Sequence, residues 1–129
     1  MGISHLKDKY YTEISGGERQ LVLITSALCQ EAKMIILDEP TSHLDFGNSY
    51  KFVEKMIDLN KEKGIGMLMI LHSPDHALQL GGKSILFYGG SILDYGESSK
   101  VLSKENLSIV YNIPLTIEKI EGKKICRVL

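Results

Sequence analysis

Three short stretches of this sequence carry residue types that can do chemistry. The first is Ile14-Ser15-Gly16-Gly17-Glu18-Arg19-Gln20. Ser15 with Glu18 fits a capping box at a helix start. The two glycines let a ligand approach the backbone, and a helix N-terminus offers free N–H groups and a positive dipole end, a combination suited to phosphate. The same pattern also describes a capped helix behind a flexible loop. The second cluster is Met34-Ile35-Ile36-Leu37-Asp38-Glu39-Pro40, a short apolar run ending in two carboxylates. Asp38 could hold Mg²⁺ through water, since that ion keeps much of its hydration shell. Glu39 could orient or deprotonate an attacking water. Adjacent side chains on an extended chain point to opposite sides, so the two acids need not share a task, and a solvated acidic turn is the plainer alternative. The third is His72, in Leu71-His72-Ser73-Pro74. His72 follows a second apolar run, so it is expected at the same sheet edge as Asp38 and Glu39. His5, His43 and His76 have no such placement and read as surface or packing residues.

The elements that must position these groups alternate. Ser15 to about Glu31 reads as a helix with Leu21, Ile24, Ala27 and Leu28 on one face. Met34–Leu37 reads as a strand buried on both faces. Gly47–Lys63 reads as a second helix, with Phe46, Tyr50, Val53 and Ile57 as its apolar stripe, Asp45 as N-cap and Gly64 as its stop. Met67–Leu71 is a second buried strand, which makes a parallel βαβ unit with a right-handed crossover. Gly89-Gly90 between Ser84–Tyr88 and Ser91–Tyr95 predicts a hairpin. Short helical pieces follow at Ser99–Leu102 and Lys104–Tyr111. Pro114 then breaks the chain before a last hairpin at Thr116–Ile120 and Lys124–Val128. The fold class is therefore α/β.

Composition narrows the function. The 129 residues suit one domain of ordinary size, and 43% hydrophobic with 24% charged residues excludes a disordered tail. Fifteen basic against sixteen acidic residues leave a net charge of −1, so no nucleic-acid footprint is expected. No apolar run approaches the roughly 18 residues that span a bilayer, and the N-terminus has no apolar core of a signal peptide. Cys29 and Cys126 are far apart and lack a CxxC partner, which points to a reduced compartment and away from zinc.

Taken in order, the clusters resemble the C-terminal part of an ABC-transporter ATPase. Ile14–Gln20 is similar to the family signature, Met34–Glu39 to Walker B, Ser42–Asp45 to the D-loop and His72 to the switch histidine. The likeness covers nearly the whole chain, 1–129. The tail from Leu107, with Tyr111-Asn112-Ile113-Pro114, looks most like importers of iron–siderophore, haem or cobalamin. The resemblance implies a partial P-loop NTPase fold with parallel strands, flanking helices and a C-terminal hairpin. It implies ATP and Mg²⁺ as cofactors, the metal held by Asp38 through water. Glu39 would then be the general base and His72 a contact to the γ-phosphate. Ser15, Gly16, Gly17 and Glu18 would form a nucleotide-binding set facing ATP held by a second ATPase subunit. Asp45 would link the two subunits. Further implied partners are membrane permease subunits, with the chain peripheral at the cytoplasmic face of the membrane.

Two departures stand out. Ile14 and Glu18 occupy signature positions where the commonest family form has Leu and Gln. The sequence also contains no Gly-x-x-x-x-Gly-Lys-Ser/Thr, the loop that cradles phosphates with backbone N–H groups. The chain is thus expected to begin partway through the domain, to be inactive alone, and to pair with the absent half or with itself. Two further readings share the motifs: a non-transport ATPase of DNA repair or chromosome maintenance, and a non-catalytic partner that lends its signature loop to another chain's ATP. An α/β domain with no nucleotide role is the remaining alternative.

Overall fold

The structure, a computed structural model, describes residues 2–129. The chain divides into two compact units, 1–71 and 72–129. In the first, single helical turns at Ser4–Leu6 and Tyr11–Glu13 lead into helix α1 (Gly16–Cys29), strand β1 (Met34–Asp38), helix α2 (Phe46–Lys63) and strand β2 (Gly66–Ile70). The strands pair in parallel, Met34 against Gly66 through Asp38 against Ile70, as expected of a βαβ unit.

Capping sets the helix boundaries. Ser15 caps α1 and accepts from the Glu18 amide. Asp45 caps α2 and accepts from the Asn48 amide, and Gly64 ends that helix with φ 65°, a left-handed conformation that a residue without Cβ adopts freely. Two expectations need correction. The buried face of α2 is Ser49, Phe52, Val53, Met56 and Leu59, whereas Phe46 is 81% exposed. The stripe read from Phe46 lies about one residue round the helix, because Phe46 sits in the first turn, before α2 meets the core. The two strands are also not covered on both faces. Ile35 and Leu37 are buried, while Met34, Ile36, Leu68 and Ile70 are exposed. The alternation is that of a sheet packed on one side only.

The second unit begins with helix α3 (Pro74–Leu80), which the sequence reading missed although Ser73-Pro74 is a capped helix start. The hairpin β3 (Lys83–Tyr88) and β4 (Ser91–Glu97) follows, turning through Gly89 and Gly90 at positive φ. Helices α4 (Ser98–Val101) and α5 (Lys104–Tyr111) and the hairpin β5 (Leu115–Ile120) and β6 (Lys123–Val128) complete it. Its core gathers Leu102, Leu107 and Leu115, with Leu78, Leu86 and Ile117 packed against them. Ser98 is buried but satisfied, its hydroxyl donating to the Gly81 carbonyl at 2.9 Å.

His76, also buried, makes this unit sensitive to acid. Burial depresses its pKa below the ordinary 6.5, and the neighbouring Asp75 only partly offsets this. The unfolded chain therefore takes up a proton at a pH where folded His76 does not. Stability is fully present above the unfolded value and falls as pH drops below about 6.5, by up to about 1.4 kcal/mol per pH unit for one proton. Denaturant midpoints followed from pH 8 to pH 5 should show this fall in the native chain and a flatter profile in His76→Gln. Equal slopes would contradict the assignment.

Candidate functional site

The signature-like residues sit at the start of α1. Glu18 Oε2 accepts from the Ser15 amide at 2.8 Å and from the Ser15 hydroxyl at 2.8 Å, and the Glu18 amide donates back to Ser15 Oγ at 3.3 Å. His5 Nε2 lies 3.3 Å from Glu18 Oε1. The hydrogen bonds from Ser15, first its amide and then its hydroxyl, with the His5 contact after them, hold the Glu18 carboxyl down at about 2. It is ionised at any neutral pH. Arg19 extends the scaffold: its Nε donates to the Tyr11 carbonyl at 3.0 Å, and the guanidinium lies over the Tyr11 ring, 4.9 Å from its centre.

The D-loop-like residues pack against this helix start. A Cβ on Gly17 would fall 2.6 Å from Leu44 Cδ2, so the absence of a side chain at 17 is what allows the approach. Asp45 is held by its neighbour Asn48, whose backbone amide donates to Oδ1 at 2.9 Å and whose side-chain amide donates to Oδ2 at 2.6 Å. Those bonds, the backbone one foremost, lower the Asp45 pKa. A cavity of about 640 Å³ joins Ser15, Gly16, Gly17, Glu18, Leu44 and Asp45 in its lining.

Asp38 is the last residue of β1 and Glu39 the first beyond it. Glu39 has φ 45°, a left-handed backbone that is costly for a residue with a Cβ. Its surroundings impose that conformation. The Glu39 amide donates to the Ile70 carbonyl at 3.1 Å, and its own carbonyl accepts from the Ser42 amide at 3.1 Å and the Ser42 hydroxyl at 2.9 Å. Strain of this kind persists where neighbouring structure over-determines it, and it concentrates at functional sites. A second cavity, about 290 Å³, is lined by Asp38, Glu39, Ser42 and His43 together with Gly16 and Gln20. The first unit thus brings the signature-like, Walker B-like and D-loop-like residues to contiguous surfaces. Anionic oxygens on one side and helix-start amides on the other suit a hydrated cation and a phosphate. Among the described residues no group of three or more His, Cys, Asp or Glu could hold a metal by itself. Asp38 would hold Mg²⁺, an ion that keeps much of its hydration shell, only through water.

His72 is the first residue of the second unit and lines neither cavity. Its carbonyl accepts a hydrogen bond from the Tyr111 hydroxyl, so α5 fixes its backbone. The sequence reading missed the parts played by His5, Asn48 and Tyr111. Asn48, three residues after an N-cap Asp, carried a local signal; His5 and Tyr111 act across 13 and 39 residues and carried none.

Comparison with known proteins agrees with the motifs. Residues 1–42 match the family model described as ABC transporter. The chain is 32% identical over 124 residues to the molybdate import ATP-binding protein MolC of Haemophilus influenzae, covering 96% of this chain and 49% of that protein. It is 32% identical over 112 residues to the ferric enterobactin transport ATP-binding protein FepC of Escherichia coli, covering 87% of this chain and 41% of that one. A solved metal-chelate type ABC transporter in an inward-facing conformation superposes with TM-score 0.88 at 29% identity, over 99% of this chain and 51% of that chain. The chain spans about half the length of the relatives it matches. Signature-like residues, strand-end carboxylates, fold and sequence matches agree in one direction: nearly the whole chain is similar to about half of an ABC transporter ATP-binding protein.

Proposed function

We propose that this chain is the signature- and Walker B-bearing part of an ATP-hydrolysing subunit that powers import, with a metal chelate of the iron–siderophore, haem or cobalamin kind as cargo. The observation that carries the reading is the convergence, in one compact unit, of the capped glycine pair, the Asp38–Glu39 strand end and Asp45 around adjoining cavities. The likeness to iron and metal-chelate transport proteins supports the cargo class.

In this reading Glu39 would take a proton from the attacking water or orient it, and Asp38 would hold hydrated Mg²⁺; for His72 the γ-phosphate contact rests on the family resemblance alone. Mg²⁺, when bound, neutralises developing charge on the phosphates. Ser15, Gly16 and Gly17 present their donors to ATP held by a second ATPase subunit, and Asp45 joins the two subunits. With no phosphate loop among these 129 residues, the nucleotide must be gripped by another segment or chain. Permease subunits would then hold the assembly at the cytoplasmic face of the membrane. No helix among the described residues is long and apolar enough to cross a membrane.

Ser15→Ala tests the signature assignment. It removes a cap worth about 1 kcal/mol to the helix and one donor to phosphate. In an ATPase assembled with a phosphate-loop-bearing partner, it should lower ATP turnover by roughly 10²-fold, the scale of one lost oxyanion donor. Turnover within twofold of the native assembly would reject the assignment.

A further inference from the structure

The bonds at the start of α1 leave Ser15 with a conflict, and Glu18 is its source. A serine hydroxyl has one proton to donate. An ionised carboxylate only accepts, so the proton in the 2.8 Å contact between Ser15 Oγ and Glu18 Oε2 belongs to Ser15. That contact is charge-assisted, the stronger class of hydrogen bond. The same Oγ accepts from the Glu18 amide, so its remaining capacity is acceptor capacity, which a phosphate oxygen cannot use. To donate to phosphate, Ser15 must first take its proton away from Glu18. Glu18 additionally holds a negative charge 2.8 Å from Ser15 Oγ, which repels a phosphate in contact with that hydroxyl.

We propose that Glu18 is a positioning residue that sets nucleotide affinity by competing for the Ser15 proton, with His5 fixing the carboxylate in the competing orientation. The inference rests on the reading of Ser15 as a phosphate contact. His5 binds Oε1 and leaves Oε2 aimed at Ser15, with Lys9 the further charge acting on the carboxylate. Glutamine at this position would weaken the competition while keeping the cap. With its carbonyl in the place of Oε2 it still accepts from the Ser15 amide, and its contact with the Ser15 hydroxyl becomes a neutral hydrogen bond that a phosphate oxygen displaces more easily. Glu18 therefore trades affinity for a helix start that is held by an anion.

The test is steady-state MgATP hydrolysis by the full chain assembled with a phosphate-loop-bearing partner, comparing native, Glu18→Gln, Glu18→Ala and Ser15→Ala chains. Glu18→Gln should lower KM for ATP by about three- to tenfold, the difference between a charge-assisted and a neutral hydrogen bond to overcome, with kcat within about twofold. Glu18→Ala, which loses the cap, should not show that gain. A purely structural Glu18 gives unchanged or raised KM in both variants, which overturns the proposal. If Ser15→Ala still impairs turnover in that case, only the competition is wrong. If Ser15→Ala is silent as well, the phosphate-contact reading falls and the competition falls with it.

Discussion

Replacing Glu39 with Gln is expected to lower ATP turnover by the assembled ATPase roughly 10²–10⁴-fold, the range for a lost general base. The substitution keeps size and an acceptor oxygen but removes the ability to take a proton. It should leave the fold intact, because the backbone contacts that hold Glu39 at φ 45° run through its amide and carbonyl, to Ile70 and Ser42. Nucleotide binding should survive, so the loss appears in kcat rather than KM. A companion variant separates strain from chemistry. Glu39→Gly relieves the left-handed conformation and should stabilise the unit slightly, by up to about 1 kcal/mol, while turnover is still lost. Near-native turnover in Glu39→Gln would remove Glu39 from the reaction.

The second large effect concerns association. Met34 and Ile36 on β1 and Leu68 and Ile70 on β2 are 57%, 68%, 49% and 51% exposed, and the register aligns them on one face of the parallel pair. A sheet with one apolar face open and free strand edges pairs with other polypeptide. The 129-residue chain should therefore self-associate as concentration rises, or take up a segment that covers this face. Ile36→Lys places a charge at the centre of the patch. At an exposed position it should change unfolding free energy by no more than about 0.5 kcal/mol, yet shift sedimentation toward monomer. A native chain that sediments as a monodisperse monomer would contradict this reading of the face.

Much of the fold was legible because local chemistry decided it. Ser15, Asp45 and Gly64 mark helix ends by side-chain oxygen or by the lack of Cβ, and Gly89-Gly90 fixes a hairpin, so these elements follow from neighbouring residues alone. The α2 face and the one-sided sheet were misread because burial depends on what packs against an element. Phe46 has the right character for a stripe but meets the Tyr50 ring of its own helix and not the core, and Ile36 has the right character for a buried strand but faces solvent. For the candidate site, the motifs pointed to Ser15, Asp38, Glu39 and Asp45, which line the two cavities of the first unit. The capping box was legible too, as a serine three residues before a glutamate. What stayed hidden was the hold of His5 on that glutamate and the close fit of Gly17 against Leu44, since both depend on chain segments distant in sequence. The φ of Glu39 was equally invisible, because it is imposed by Ile70 on the neighbouring strand.

In the proposed function the chain would bring signature, carboxylates and subunit-joining residues to a nucleotide gripped elsewhere. The most direct measurement is MgATP hydrolysis by the 129-residue chain alone and after mixing with a polypeptide that carries a phosphate loop. The expected result is no turnover above buffer for the chain alone, and turnover in the mixture that Glu39→Gln abolishes. Glu39-dependent hydrolysis by the chain alone would show that the nucleotide is gripped within these 129 residues, contrary to the proposed function.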